Sequence, residues 1–125
     1  MKQAVLAARD GRVFSAIEPI LENSDFKIQR VDSGKAALAL CEDQRKIDLL
    51  ITDETLEDMD AKELVEKAIM INPMINCAPV SSLAHKDFHD LFEGLGVLMQ
   101  FPVKPDEKDA KKLIECIDKI FSLTP

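Results

Sequence analysis

Short apolar runs alternate with apolar stripes of helical period along this chain, and that alternation leaves few folds open. Gln3 to Ala8 (QAVLAA) reads as a buried strand, and Val13, Phe14, Ile17, Ile20 and Leu21 then recur at helical spacing. Phe26 to Val31 (FKIQRV) alternates apolar and polar, as a half-exposed strand does. Asp32-Ser33-Gly34 is a turn with N-cap chemistry, followed by the strong helix former KAALALCEDQ, which ends at Gln44. Asp48 to Thr52 is the most apolar strand. Asp60 then caps a helix with Leu64, Val65, Ala68 and Ile69 on its inner face, stopped by Asn72-Pro73. Ile75 to Ser81 is a weaker strand, since Pro79 lacks a ladder donor. Phe88, Leu91, Phe92 and Leu95 form the next stripe, ended by Gly94 and Gly96. Val97 to Phe101 reads as a fifth strand, and Ala110 to Phe121 carries the last helical stripe. Strictly alternating units predict a doubly wound α/β fold: a five-stranded parallel sheet, helices on both faces, right-handed crossovers.

A chain of 125 residues fits one domain, taken as residues 1–125. No apolar run is long enough to span a bilayer, and MKQAVLAARDG lacks a signal-peptide pattern, so the expected location is cytoplasmic with no membrane partner. The net charge of −7 and the absence of Trp and Tyr argue against direct nucleic-acid binding, which needs clustered cations and stacking rings. Cys41, Cys77 and Cys116 are widely spaced among apolar neighbours and read as free thiols rather than zinc ligands. His85 and His89 share a helix face without a third ligand and read as solvated surface.

In such sheets the chemistry sits at the carboxyl ends of the strands. There the apolar run IDLLIT breaks into the acidic stretch DETLED, with Asp53 first. The usual marks of other chemistries are missing. The turn after the first strand, ARDGRV, is not a glycine-rich dinucleotide turn, and no phosphate loop, nucleophile elbow or calcium loop is present. An enzyme is therefore not expected. What remains is single residues at strand ends: Asp10, Asp53, Ser81 or Ser82, and Lys104 before Pro105. A carboxylate accepts a phosphoryl group when a cation and a Lys neutralise the charge and a hydroxyl binds the phosphoryl oxygens.

With IDLLITDETLEDMDAKEL, VDSGKAALAL and FPVKP on the page, the chain resembles the receiver domains of bacterial response regulators over nearly its full length. The resemblance implies the (βα)5 flavodoxin-like arrangement, strand order 2-1-3-4-5. It makes Asp53 the phosphoacceptor, Lys104 its pairing cation and Ser82 the switch hydroxyl, with Ser81 as runner-up. Phe101 takes the aromatic switch position, and the Thr55 carbonyl, with Asp53 and Asp10, becomes a ligand of Mg²⁺. It further implies a histidine kinase or another signalling protein as partner, and phosphorelay signalling through the face of helix 4, strand 5 and helix 5. In such a switch, charge at Asp53 draws in Ser82 and lets Phe101 turn inward. A monomer or weak homodimer is expected, with output by protein contact, or else through the rest of a longer protein.

The chain departs from the family pattern where metal is bound. The first strand of the family ends in two acids; here that place falls on Ala8-Arg9 or on Arg9-Asp10. The residues after Asp53 that are usually Met-Pro are Leu56-Glu57, the usual Gly is Ala61, and the stretch from Gly96 to Lys104 carries one residue more than the family norm. These departures raise a second reading: a phosphorylation-independent pseudo-receiver that serves as a protein-interaction module, with Arg9 or Lys104 paired to Asp53.

Overall fold

The computed structural model describes residues 2–43 and 46–122; Gln44 and the Phe121 side chain, both included in the predicted helices, lie outside what is described. Four parallel strands form one sheet in the order β2-β1-β3-β4. They are β1 (Lys2–Ala7), β2 (Phe26–Val31), β3 (Ile47–Thr52) and β4 (Asn76–Pro79). Helices α1 (Glu18–Asn23), α2 (Gly34–Asp43), α3 (Ala61–Ile71), α4 (His85–Leu91) and α5 (Glu107–Ser122) connect or follow them.

The period-2 pattern of the central strands builds two cores. Ala4 and Leu6 of β1, with Leu49 and Ile51 of β3, pack with Phe14, Leu21, Leu113 and Ile117 on the α1 and α5 side. Val5, Ala7 and Leu50 face the other way, toward Ala37, Leu64, Val65 and Phe88 of α2, α3 and α4. Both faces of β1 and β3 are buried, which is why these strands are apolar throughout.

Two expectations are corrected. The first helical stripe does not form one helix. Residues 11–14 make a 3-10 turn capped by Asp10, and the α-helix begins only at Glu18. Pro19 explains the break: it has no N–H to donate and its ring would collide with the carbonyl four residues back, so it is tolerated only in the first helical turn.

The second correction is the strand count, four rather than five. Residues 97–101 do lie beside β4, but they join it by one isolated parallel bridge, Val80 to Phe101. The Leu98 N–H donates to the Cys77 carbonyl at 2.7 Å, and the Phe101 N–H to the Pro79 carbonyl at 3.0 Å. Between these two bonds the segment advances one residue further than β4 does, a bulge-like slip. Pro79 faces this segment without a donor to return, so the ladder fails where it should close. The extra residue noted before Lys104 is thus absorbed here. Past β4 the Ser81 N–H donates to the Phe101 carbonyl at 3.0 Å, and the Gln100 amide donates to the carbonyls of Ser81 at 3.1 Å and Leu83 at 2.9 Å.

Candidate functional site at the carboxyl ends of the strands

The acidic stretch after β3 resolves into separate tasks. Asp60 is the N-cap of α3, its carboxylate accepting from the Glu63 N–H at 2.9 Å. Asp58 reaches the start of α2 and accepts from the Gly34 and Lys35 N–H groups, both at 2.9 Å. Those bonds, Gly34 first, hold its carboxyl below the ordinary carboxylate value. Glu54 accepts from Ser82 twice, through the backbone N–H and through Oγ, each at 2.9 Å.

Asp53 is left. Its N–H donates to the Ala7 carbonyl at 2.8 Å, which fixes the end of β3 against the end of β1. Its Oδ1 accepts the N–H of the next residue, Glu54, at 2.8 Å. The carboxylate is half-buried and, among the described residues, makes no ion pair. The expected pairing of Asp53 with Arg9 or Lys104 is therefore not found.

The register decides which first-strand residues stand beside Asp53. Ala7 pairs with Thr52 at the last rung, so the residue that follows β1 beside Asp53 is Ala8. Ala8 is buried and offers only a methyl group. Asp10 lies further along, on the 3-10 turn, where Arg12 grips both its carboxylate oxygens: Nε to Oδ1 at 3.0 Å and Nη2 to Oδ2 at 2.8 Å. That bidentate contact lowers the Asp10 carboxyl to about 2. The presence of Arg12 two residues after an N-cap Asp is the sequence signal for this contact.

Lys104 is exposed and adopts φ +56°, a left-handed conformation unusual for a side-chain-bearing residue. It shares a depression of about 540 Å³ with Asp10, Arg12 and Pro105, open to solvent. Phe101 is fully buried and points into the α1–α5 core beside Leu6 and Phe14. Ser81 is buried, and its Oγ accepts from the Leu83 N–H at 3.2 Å; Ser82 is exposed and bound to Glu54. Thr55 is exposed and bridges Asp60 across the loop. The structure thus gathers Asp53, Ser82, Asp10 and Lys104 at one end of the sheet, but engages Ser82 and Asp10 with partners of their own.

The donor set does not fit a firmly held Mg²⁺. Such a site is near-octahedral, built from one or two carboxylates and several waters. Here Ala8 stands where an acid is required, the Asp10 carboxylate is occupied by Arg12, and among the described residues no three His, Cys, Asp or Glu groups converge.

No protein-family model matches the chain. It is 41% identical over 64 residues to the two-component response regulator ORR5 of rice (Oryza sativa subsp. japonica); the match spans 50% of this chain and 48% of the relative. Its fold matches a response regulator receiver domain protein from Clostridium thermocellum with a TM-score of 0.82 at 15% identity, covering 99% of this chain and 100% of that one. It also matches the chemotaxis response regulator CheY4 of Vibrio cholerae, with a TM-score of 0.76 at 15% identity over 96% of this chain and 98% of that one. The fold is thus that of response-regulator receiver domains over nearly the whole chain, and half of the chain is similar in sequence to two-component response regulators, of whose length it spans about half.

Proposed function

We propose that this receiver domain acts in two-component signalling by protein contact, and that its contact state is held by its own side chains without phosphorylation of Asp53. One observation carries the reading: the residue abreast of Asp53 at the end of β1 is Ala8, while the nearest acid, Asp10, is gripped by Arg12. A phosphoryl group on Asp53 needs cationic neutralisation, and the carboxylates that would hold a divalent ion there are missing or engaged. The inward Phe101 supports the same reading, since it stands as the resemblance assigns it after phosphorylation, while Ser82 is engaged by Glu54 instead of Asp53. The partner is a signalling protein, and the surface that meets it is the α4 side with the segment 97–101 and α5.

A second reading keeps Asp53 as a phosphoacceptor served by a histidine kinase, and the state of its carboxylate favours it: Asp53 is half-buried at a strand end with no ion pair among the described residues. Intact-protein mass after incubation with Mg²⁺ and acetyl phosphate separates the two, with Asp53→Asn alongside. No phosphoryl gain is expected. A gain of one phosphoryl group that Asp53→Asn abolishes would replace the first reading with the second.

A further inference from the structure

Glu54 follows Asp53 directly, and no motif marks it. A single carboxylate oxygen, Oε2, takes both donors of Ser82, the N–H and the Oγ–H, each at 2.9 Å. Two donors of one residue closing on one anionic oxygen is how a loop holds an anion. The same loop is fastened from elsewhere by the Gln100 amide, on the carbonyls of Ser81 and Leu83, and from within by the Ser81 Oγ. Residues 81–83 lead into α4, so these bonds set where that helix begins. Glu54, Ser81 and Leu83 also line a groove of about 260 Å³, with Leu91 and Phe92 on its far wall.

We propose that Glu54 is a positioning residue: its carboxylate is the resident anion of the β4–α4 loop, satisfying Ser82 in advance and fixing the groove that Leu83 and Leu91 border. This rests on the reading that phosphorylation is not required. It adds that an anion at Asp53 must displace Glu54 before Ser82 can reach it. The geometry is specific, because Asp53 itself makes no bond to Ser82.

The test is amide hydrogen exchange, read residue by residue by NMR on the whole chain, for the native protein, Glu54→Ala, Glu54→Gln and Asp53→Ala. Exchange at Ser82 is expected to rise by about tenfold or more in Glu54→Ala, the scale of losing a hydrogen bond to a charged acceptor. Glu54→Gln, which keeps the shape and loses the charge, is expected to fall between Glu54→Ala and the native chain. Asp53→Ala is expected to leave Ser82 as it is, and the amides of Leu50 and Ile51 report an intact sheet throughout. Unchanged exchange at Ser82 in both Glu54 variants, or equal acceleration by Asp53→Ala, overturns the proposal. Phosphoryl uptake by the native chain would remove the functional reading instead, while leaving the exchange result to be judged separately.

Discussion

Asp58 caps a helix that begins 24 residues earlier: its two carboxylate oxygens accept from the N–H groups of Gly34 and Lys35, each at 2.9 Å. Helix α2 also has a local cap, the Ser33 Oγ accepting from the Ala36 N–H at 3.1 Å. Between them, these two side chains satisfy three of the orphan donors at the helix start. A negative charge there also suits the positive end of the helix dipole.

Replacing Asp58 with Ala is expected to lower the thermal midpoint. Because the folded carboxyl ionises below its ordinary value of 3.8, the stabilisation is present above that pH and fades as the pH falls through the lower folded value. Thermal melts of native and variant protein should therefore differ most near neutrality and converge in acid. A gap that persists undiminished in acid would mean that Asp58 acts by packing.

Gly34 is needed for a different reason. A Cβ built there would meet the Met59 sulfur at 2.3 Å and its Cγ at 2.5 Å. Gly34→Ala is expected to cost about 1–2 kcal/mol by overpacking, measured by urea unfolding. The cost should shrink when Met59→Ala is added, so the pair is non-additive. Additive losses would place the strain in the backbone instead.

If absent acids keep Asp53 unmodified, restoring them should change that. A chain carrying Ala8→Asp and Arg9→Asp is expected to take up phosphoryl from acetyl phosphate in Mg²⁺ about tenfold faster than the native chain or better, the scale of one added charged ligand. Asp53→Asn on that background should abolish uptake. A restored chain no faster than the native one would locate the block elsewhere, with the Glu54–Ser82 contact next in line.

Burial pushes the Cys77 thiol up to about 12 and the Cys41 thiol up to about 11. Both are expected to resist iodoacetamide at pH 8 in the folded protein and to react after unfolding, as counted by intact mass. Their effect on stability has one sign. The fold keeps both thiols protonated while the unfolded chain loses those protons near 9, so stability should fall as the pH rises from about 9 toward 12. Rapid modification of either thiol at pH 8 would show that the α2–α4 side opens readily.

Much of the fold is legible in the sequence. Apolar runs such as QAVLAA and IDLLIT are too short and too uniformly apolar for surface helices, so they had to be buried strands. Their alternation with helical stripes required a parallel sheet. Asp53 was marked by position alone, as the carboxylate on which the most buried strand ends. Two prolines carry further signals. Pro19 announced the late start of α1, and Pro79 with the extra residue before Lys104 announced the failure of a fifth strand.

Sequence periodicity determines which residues must leave water, because burial depends on spacing along one strand or helix. That settled the layers, the sheet type and the end at which the site lies. Which carboxylate meets which donor depends on loops brought together by folding, and no local pattern encodes it. Only the tertiary structure decided that Ala8 stands beside Asp53, that Arg12 holds Asp10, that Asp58 crosses to α2, and that Glu54, not Asp53, holds Ser82. The physical reason is range: hydrogen bonds act over about 3 Å, and residues far apart in sequence reach that distance only once the sheet register is set.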